Sequence, residues 1–197
     1  MVPDVQIVQS TDPRVVTLED DGYRLVGESW GARLRLREPL DLELLRRAVT
    51  AATDAGFIIR ELDAGFAEAL FELELANNAD YPFTPATHQA SPVRGTIAAF
   101  WRDGKRVFGA LDHGALVAAV VGQVVDRVGD NDFASVLAEY RGRKVGAAVA
   151  AASIIAFASD GVREFTAGGA AANSASLALV RSIGFEIEEQ WRSYERD

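Results

Sequence analysis

Three of the four residues from Arg141 to Lys144 are basic, and they stand between a β-branched stretch ending at Val136 and an Ala-rich run starting at Val145. A helix beginning there aims its unpaired N–H groups and the positive end of its dipole at whatever precedes it. Gly142 and Gly146 let the backbone approach a bulky anion closely. The segment Arg141, Gly142, Arg143, Lys144, Val145, Gly146, Ala147 is therefore expected to cradle a phosphate-type group. In a chain of formal net charge −9 it is a local inversion of sign. The plainer alternative is a basic helix start at the surface.

The chain around this segment has 197 residues, 49% hydrophobic and 25% charged, which suits one globular domain with at most a small annex. Its acidity argues against nucleic acid or an anionic membrane as a partner, because phosphate would be repelled. The absence of cysteine excludes disulfides, thiol catalysis and Cys-ligated zinc. The first residues, Met-Val-Pro-Asp-Val-Gln, have no basic and apolar leader pattern, and the most apolar run, Gly146 to Ala158, is too short to span a bilayer. A cytoplasmic location is the expectation.

Residues 1–38 read as β. Val5–Val8, Val15–Leu18, Tyr23–Val26 and Arg33–Arg37 are expected strands, parted by Asp12-Pro13 and Asp20-Asp21-Gly22. Asp41 should cap a helix that turns Leu42, Leu45, Val49 and Ala52 to one side. Residues 1–56 thus form an N-terminal extension, and 57–197 the main domain. Phe57–Arg60 reads as a strand, and Asp63 opens a helix with Phe66, Leu70 and Leu73 inward. Glu68, Glu72 and Glu74 are then expected on its solvated face. A proline-containing loop, a helix near Val93–Trp101, and strands at Val107–Leu111 and Leu116–Val125 come next. A turn at Gly129-Asp130-Asn131 leads to the strand ending at Val136. Helix 145–159, strand Glu164–Ala167, helix Ser174–Ile183 and strand Glu186–Tyr194 complete the pattern. From Phe57 the order β-α-α-β-β-β-α-β-α-β implies an α+β layer fold with a mixed sheet.

Three local signatures carry a family resemblance: the segment Val136 to Ala147, Asn173 after the fifth strand of the main domain, and Ser182-Ile183-Gly184-Phe185 near the end. Residues 57–197 resemble the GCN5-related N-acetyltransferase (GNAT) family, whose pyrophosphate loop reads R/Q-x-x-G-x-G/A. The resemblance implies a splayed mixed sheet that holds acetyl-CoA as cosubstrate, with no metal, and an amine acceptor attacking the thioester directly in a ternary complex. By the same resemblance pantetheine would pair with Ser135, Val136 and Leu137, the Leu137 N–H would polarise the thioester carbonyl, and residues 141–147 would wrap the pyrophosphate. Asn173, Ser176 and Leu177 would border the cofactor farther along.

For the acceptor side the resemblance points to Asp130 or Asp132 as the carboxylate that takes the amine's proton, and to Tyr81 and His88 as substrate contacts. Aspartates in a Gly-Asp-Asn-Asp turn also have a purely local use, in backbone hydrogen bonding. His113 belongs to a tight hairpin turn, and two histidines without a carboxylate cluster offer no metal site. Phe83, Trp101 and Trp191 are further aromatic candidates for the acceptor pocket. Two departures stand out. Lys144 replaces the motif's first glycine, which a helical φ would tolerate. Val180 replaces the frequent tyrosine that protonates the leaving thiolate, so Tyr194 and Ser176 remain as hydroxyls. The reading is an N-acetyltransferase for a primary amine, possible as a homodimer, and the alternative is a relative that binds acetyl-CoA without turnover.

Overall fold

The computed structural model describes residues 4–87 and 91–196. His88 lies outside the described residues. One ribbon of antiparallel strands contains β3 (Ile58–Leu62), β4 (Arg106–Asp112), β5 (Ala115–Val125) and β6 (Val128–Val136). A second contains β1 (Asp4–Gln9), β8 (Glu186–Arg196), β2 (Arg24–Arg35) and β7 (Glu164–Ala170). They join through a parallel contact of β6 with β7, giving one mixed sheet of eight strands in the order β1-β8-β2-β7-β6-β5-β4-β3. The α+β layer class read from the element order is the observed one.

Among the described residues six α-helices cover this sheet: α1 (Arg14–Asp20), α2 (Glu43–Asp54), α3 (Ala67–Asn77), α4 (Arg94–Ala99), α5 (Val145–Ser159) and α6 (Ser174–Ser182). The Ala-rich α5 is enclosed because it lies between the sheet and α2. Small side chains let it sit close to both, and Ala148, Val149, Ala151 and Ile154 have no exposed surface. On the opposite layer α3 and α4 build a second core around Leu70, Leu73, Ile97, Phe100, Val107 and Val121.

The β6–β7 contact is short. It comprises Val128↔Glu164, Gly129↔Phe165 and Asp130↔Thr166 and then ends. Beyond it β7 stays with β2 up to Ala170↔Ser29, while β6 stays with β5 up to Val136↔Ala118. Each strand therefore keeps its outer partner and loses its inner one. A bulge at Asp132, between the pairs Val121↔Phe133 and Gly122↔Asn131, adds twist to β6 where the strands part. Gly129 permits the last close approach: a Cβ there would meet the Phe165 ring at 2.5 Å.

Three elements differ from the expectation. Val15–Leu18 belongs to helix α1. The Asp12 carboxylate accepts the Arg14 N–H at 2.8 Å, and Leu18 packs with Val15 against Val8 and Tyr194, an i,i+3 spacing that outweighs β-branching. The two expected strands at 23–26 and 33–37 are parts of one long strand, β2. The turn expected at 129–131 falls at Asp126-Arg127, both at positive φ (50° and 69°), so Asp130 lies in β6 and Asp132 at its bulge.

Residues 4–56 enter the same sheet and core. β2 is inserted between β7 and β8, and Trp30, Ala32, Leu42 and Leu45 share one buried cluster with α5. Deleting them would leave β7 and β8 without the strand that joins them. A chain beginning at Gly56 should therefore be insoluble or lack a cooperative thermal transition by circular dichroism, whereas a soluble, cooperatively melting product would show that β2 is dispensable.

Candidate active site

The gap between β6 and β7 opens into a cavity of about 1640 Å³. Its two walls have different backbone character. The Leu137 N–H donates to the Val117 carbonyl at 3.0 Å. In an antiparallel ladder the bonding direction alternates, so Val136 and Ala134 turn their N–H and C=O groups the other way, into the gap. Two contacts agree with that parity: Arg141 Nε donates to the Val136 carbonyl at 3.1 Å, and the Tyr81 hydroxyl to the Ala134 carbonyl at 3.3 Å. This corrects the expectation for Leu137. Its N–H is spent on β5, and the donor facing the gap is that of Val136. The other wall is β7 with Gly168, Gly169 and Ala170, backed by Trp30, whose Nε1 donates to the Ala170 carbonyl at 3.3 Å.

At one end of the gap stands the N-terminus of α5. Ala148 N–H to Lys144 C=O, at 3.2 Å, is the first bond of its ladder, so the N–H groups of Val145, Gly146 and Ala147 have no intrahelical acceptor. No side chain caps them. By contrast α6 is capped by its own Asn173, whose Oδ1 accepts the Ser176 N–H at 3.0 Å. The turn into α5 runs through Gly142 at φ 76° and Lys144 at φ 62°. Lys144 is thus left-handed, so the helical φ that would have made the departure from glycine easy is not the one it adopts. The position has the conformation a motif glycine takes freely, held here by a residue with a side chain. Gly146 is fixed by contact, since a Cβ there would meet Val136 Cγ2 at 2.9 Å.

The three cations of this turn have different fates. Arg141 reaches back to the C-terminal end of α3, where Nη2 donates to Asn77 Oδ1 at 2.7 Å and to Asp80 Oδ2 at 2.6 Å. The guanidinium of Arg143 lies over the rings of Phe57 and Tyr140, 4.8 and 5.1 Å from their centroids, and the residue does not line the cavity. Lys144 does line it, and α2 adds Arg47, a cation that its sequence position alone gave no reason to select.

Of the other expected residues, Ser135, Val136, Gly142, Val145, Gly146, Ala147, Asn173 and Ser176 line the cavity, while Leu137 and Leu177 do not. Asp130 and Asp132 also line it, but both are engaged. Asp130 Oδ1 accepts the Thr166 hydroxyl at 3.0 Å, and Asp132 is ion-paired with Lys105. Tyr81 and Trp191 are on the wall, whereas Trp101 is turned away to donate to the Leu62 carbonyl at 2.8 Å. Val180 is buried in the core beneath the cavity, and Tyr194 is fully buried beside Val8.

The sequence reading placed Glu74 on a solvated helix face, and this is overturned: Glu74 is only 3% exposed and lines the cavity. Helix α3 packs on two sides, so Leu70, Phe71, Leu73, Glu74 and Asn77 are all buried while Glu68 and Glu72 stay out in water with Arg94. Beside Glu74 the Tyr81 phenol is pushed far above its usual range, first by burial and then by the Glu74 carboxylate. Asn77 Nδ2 donates to the buried Ser135 hydroxyl at 2.8 Å, which ties the same helix to the edge of β6.

A parted sheet with an uncapped helix N-terminus in the gap is the arrangement of an acyltransferase. The acetyltransferase (GNAT) family model matches residues 67–185, and the chain belongs to that family. Among solved structures, a GCN5-related N-acetyltransferase from Sphaerobacter thermophilus superposes with a TM-score of 0.75 at 17% identity, over 99% of this chain and 59% of its own. A tandem GNAT protein from the clavulanic acid biosynthesis pathway gives 0.60 at 17% identity, over 98% and 62%. The ribosomal-protein-S18-alanine N-acetyltransferase from Escherichia coli gives 0.52 at 19% identity, over 71% and 92%. The chain therefore spans less than two thirds of the length of the first two. No curated protein matches it in sequence.

The left-handed Lys144 yields a stability test. A β-branched side chain at positive φ is strained by about 1–3 kcal/mol, whereas glycine is not. Lys144→Val should lower the thermal midpoint clearly, and Lys144→Gly should leave it unchanged or raise it.

Proposed function

We propose that the protein transfers an acetyl group from acetyl-CoA to a primary amine, by direct attack in a ternary complex. The observation that carries this reading is the gap itself: β6 presents the N–H and C=O of Ala134 and Val136 where pantetheine amides would pair, and α5 presents uncapped N–H groups where the pyrophosphate would lie. Lys144 and Arg47 supply the charge at that end, while Arg141 acts as a strut between the loop and α3. The Val136 N–H is the group placed to polarise the thioester carbonyl, in the manner of an oxyanion-hole donor.

The chemistry asks little more of the protein. The amine nitrogen bonds to the thioester carbon, the C–S bond breaks, and the electron pair leaves on sulfur. A thiol has a pKa near about 8.5, so its thiolate is a tolerable leaving group near neutrality even unprotonated. That suits a site in which Val180 stands buried at the position of the usual tyrosine. Tyr81 stays neutral over any practical range, since burial and Glu74 both raise it. It serves as a hydrogen-bond donor to the edge of β6.

The direct test is thiol release from acetyl-CoA with a panel of amines, together with calorimetric binding. Binding without release under any amine would instead indicate a non-catalytic acetyl-CoA-binding module. Charge at the loop should be selective: Lys144→Glu should weaken acetyl-CoA binding by about tenfold or more, the scale of one charge-assisted phosphate contact, while Arg143→Glu changes it little. Equal effects would show that Arg143 swings into the cleft.

Proton donation gives a second expectation. The rate should show no descending limb near pH 9–10 from a tyrosine acid, the range in which an ordinary phenol ionises at about pH 10. Tyr194→Phe should cost less than about tenfold in turnover, because that phenol is enclosed away from the cavity. A loss of a hundredfold with the fold and cofactor affinity intact would locate the acid on β8.

A further inference from the structure

We propose that residues 81–87 form a strap across the gap between β6 and β7, and that Gly27 of β2 is the positioning residue that seats it and so keeps water from the thioester. This rests on the acetyl-transfer reading and extends it to the shielding of the same site.

The path of the chain carries the argument. Helix α3 packs over β5 and β6, on one side of the gap. Just past its end the Tyr81 hydroxyl donates to the Ala134 carbonyl of β6. Three residues on, Thr84 is 4% exposed and lies against Gly27 of β2. In the sheet order β2 stands beyond β7, so the chain has crossed from one lip of the gap to the other. Three extended residues reach about 10 Å, the width of two strand spacings, and the Tyr81 side chain adds to that reach. Pro82, Ala86 and Thr87 line the cavity from the strap, while Ser29 of β2 and Ala170 of β7 line it from the sheet.

The seat needs a residue without a side chain. Gly27 has no left-handed φ, so its backbone conformation is open to any residue. Contact decides the position: a Cβ on Gly27 would stand 2.8 Å from Thr84 Cβ and 2.9 Å from Thr84 Cγ2. Thr84 is itself held in a tight turn. Its Oγ1 accepts the Thr87 N–H at 3.1 Å and shares a hydrogen bond with the Thr87 hydroxyl at 2.7 Å, and its carbonyl also accepts that N–H, at 3.1 Å. Ser29 is two residues along β2 from Gly27, on the same face, and lines the cavity, so the notch borders the space the strap covers. A strap held at both lips excludes water from the edge where the Val136 N–H would hold the thioester. A thioester open to water would lose its acetyl group as acetate and release the thiol.

The experiment exchanges the two side chains in the whole protein. Gly27→Ala fills the notch. Thr84→Gly empties it again, because with Cβ and Cγ2 gone the nearest remaining atom, the Thr84 Cα, is at 3.5 Å, an ordinary contact. Strap release is read as chymotrypsin cleavage between Phe83 and Thr84, well below the thermal midpoint. Shielding is read as thiol release from acetyl-CoA with no amine added. Gly27→Ala should speed cleavage about tenfold or more and thiol release about threefold or more, with acetyl-CoA affinity within about twofold. The double variant should match Thr84→Gly alone in both readouts, since the lost Thr84–Thr87 bonds are common to them. Additive effects in the double variant, or no faster cleavage in Gly27→Ala, would overturn the seat. Faster cleavage with unchanged thiol release would overturn the shielding. If acetyl-CoA does not bind, the acetyl-transfer reading and the shielding fall together, while the cleavage rates still decide whether Gly27 seats the strap.

Discussion

The site depends on a hydrogen-bonding mismatch between two neighbouring strands. After Asp130↔Thr166, β6 and β7 each follow an outer partner and separate, so the polar backbone of Ala134 and Val136 faces an open cavity. The carbonyls on that edge are engaged by Arg141 and Tyr81, and the N–H groups beside them are turned toward the cavity. The bulge at Asp132 and the bare Gly129 beneath Phe165 are the local devices that let the strands meet closely and then diverge. The loop, the end of α5 and the α3 side of the cavity all take their places around that divergence.

Charge is allocated around the cavity by direct pairing more than by net composition. The formal charge of −9 is a property of the whole surface. Within the cleft, Asp80 engages Arg141 and Asp132 engages Lys105, which removes two cations and two carboxylates from ligand work at once. The Arg141 contacts also link the pyrophosphate-type loop to the end of α3, the helix that carries Glu74 and Asn77. The loop and the α3 side of the cavity are thus parts of one bonded assembly.

The N-terminal residues show how little sequence order says about spatial position. β2 is early in the chain, yet it lies between β7 and β8, and its Trp30 backs the far wall of the cavity. The family match begins only at residue 67, so these residues complete a sheet whose middle they did not announce. Their strands at 5–8, 23–26 and 33–37 and the helix after Asp41 were legible as local patterns, although Val15–Leu18 was not. Their insertion was not, because antiparallel pairing between distant segments leaves no local periodicity to read.

The sequence by itself determined the class of fold and the loop before α5, because these rest on short-range properties: alternation, turn residues, and glycine at a helix start. Lys144 was visible as a departure, but its left-handed φ emerged only in the folded turn before α5. The strand expected at Val15–Leu18 became a helix when its i,i+3 pair met Val8 and Tyr194. The fate of Arg141 and Arg143, the parity that turns Val136 in place of Leu137 into the gap, and the burial of Glu74 were decided only by tertiary structure. Each depends on which distant group stands opposite, and a helix face that reads as solvated becomes a wall once a second helix and a strand edge close over it.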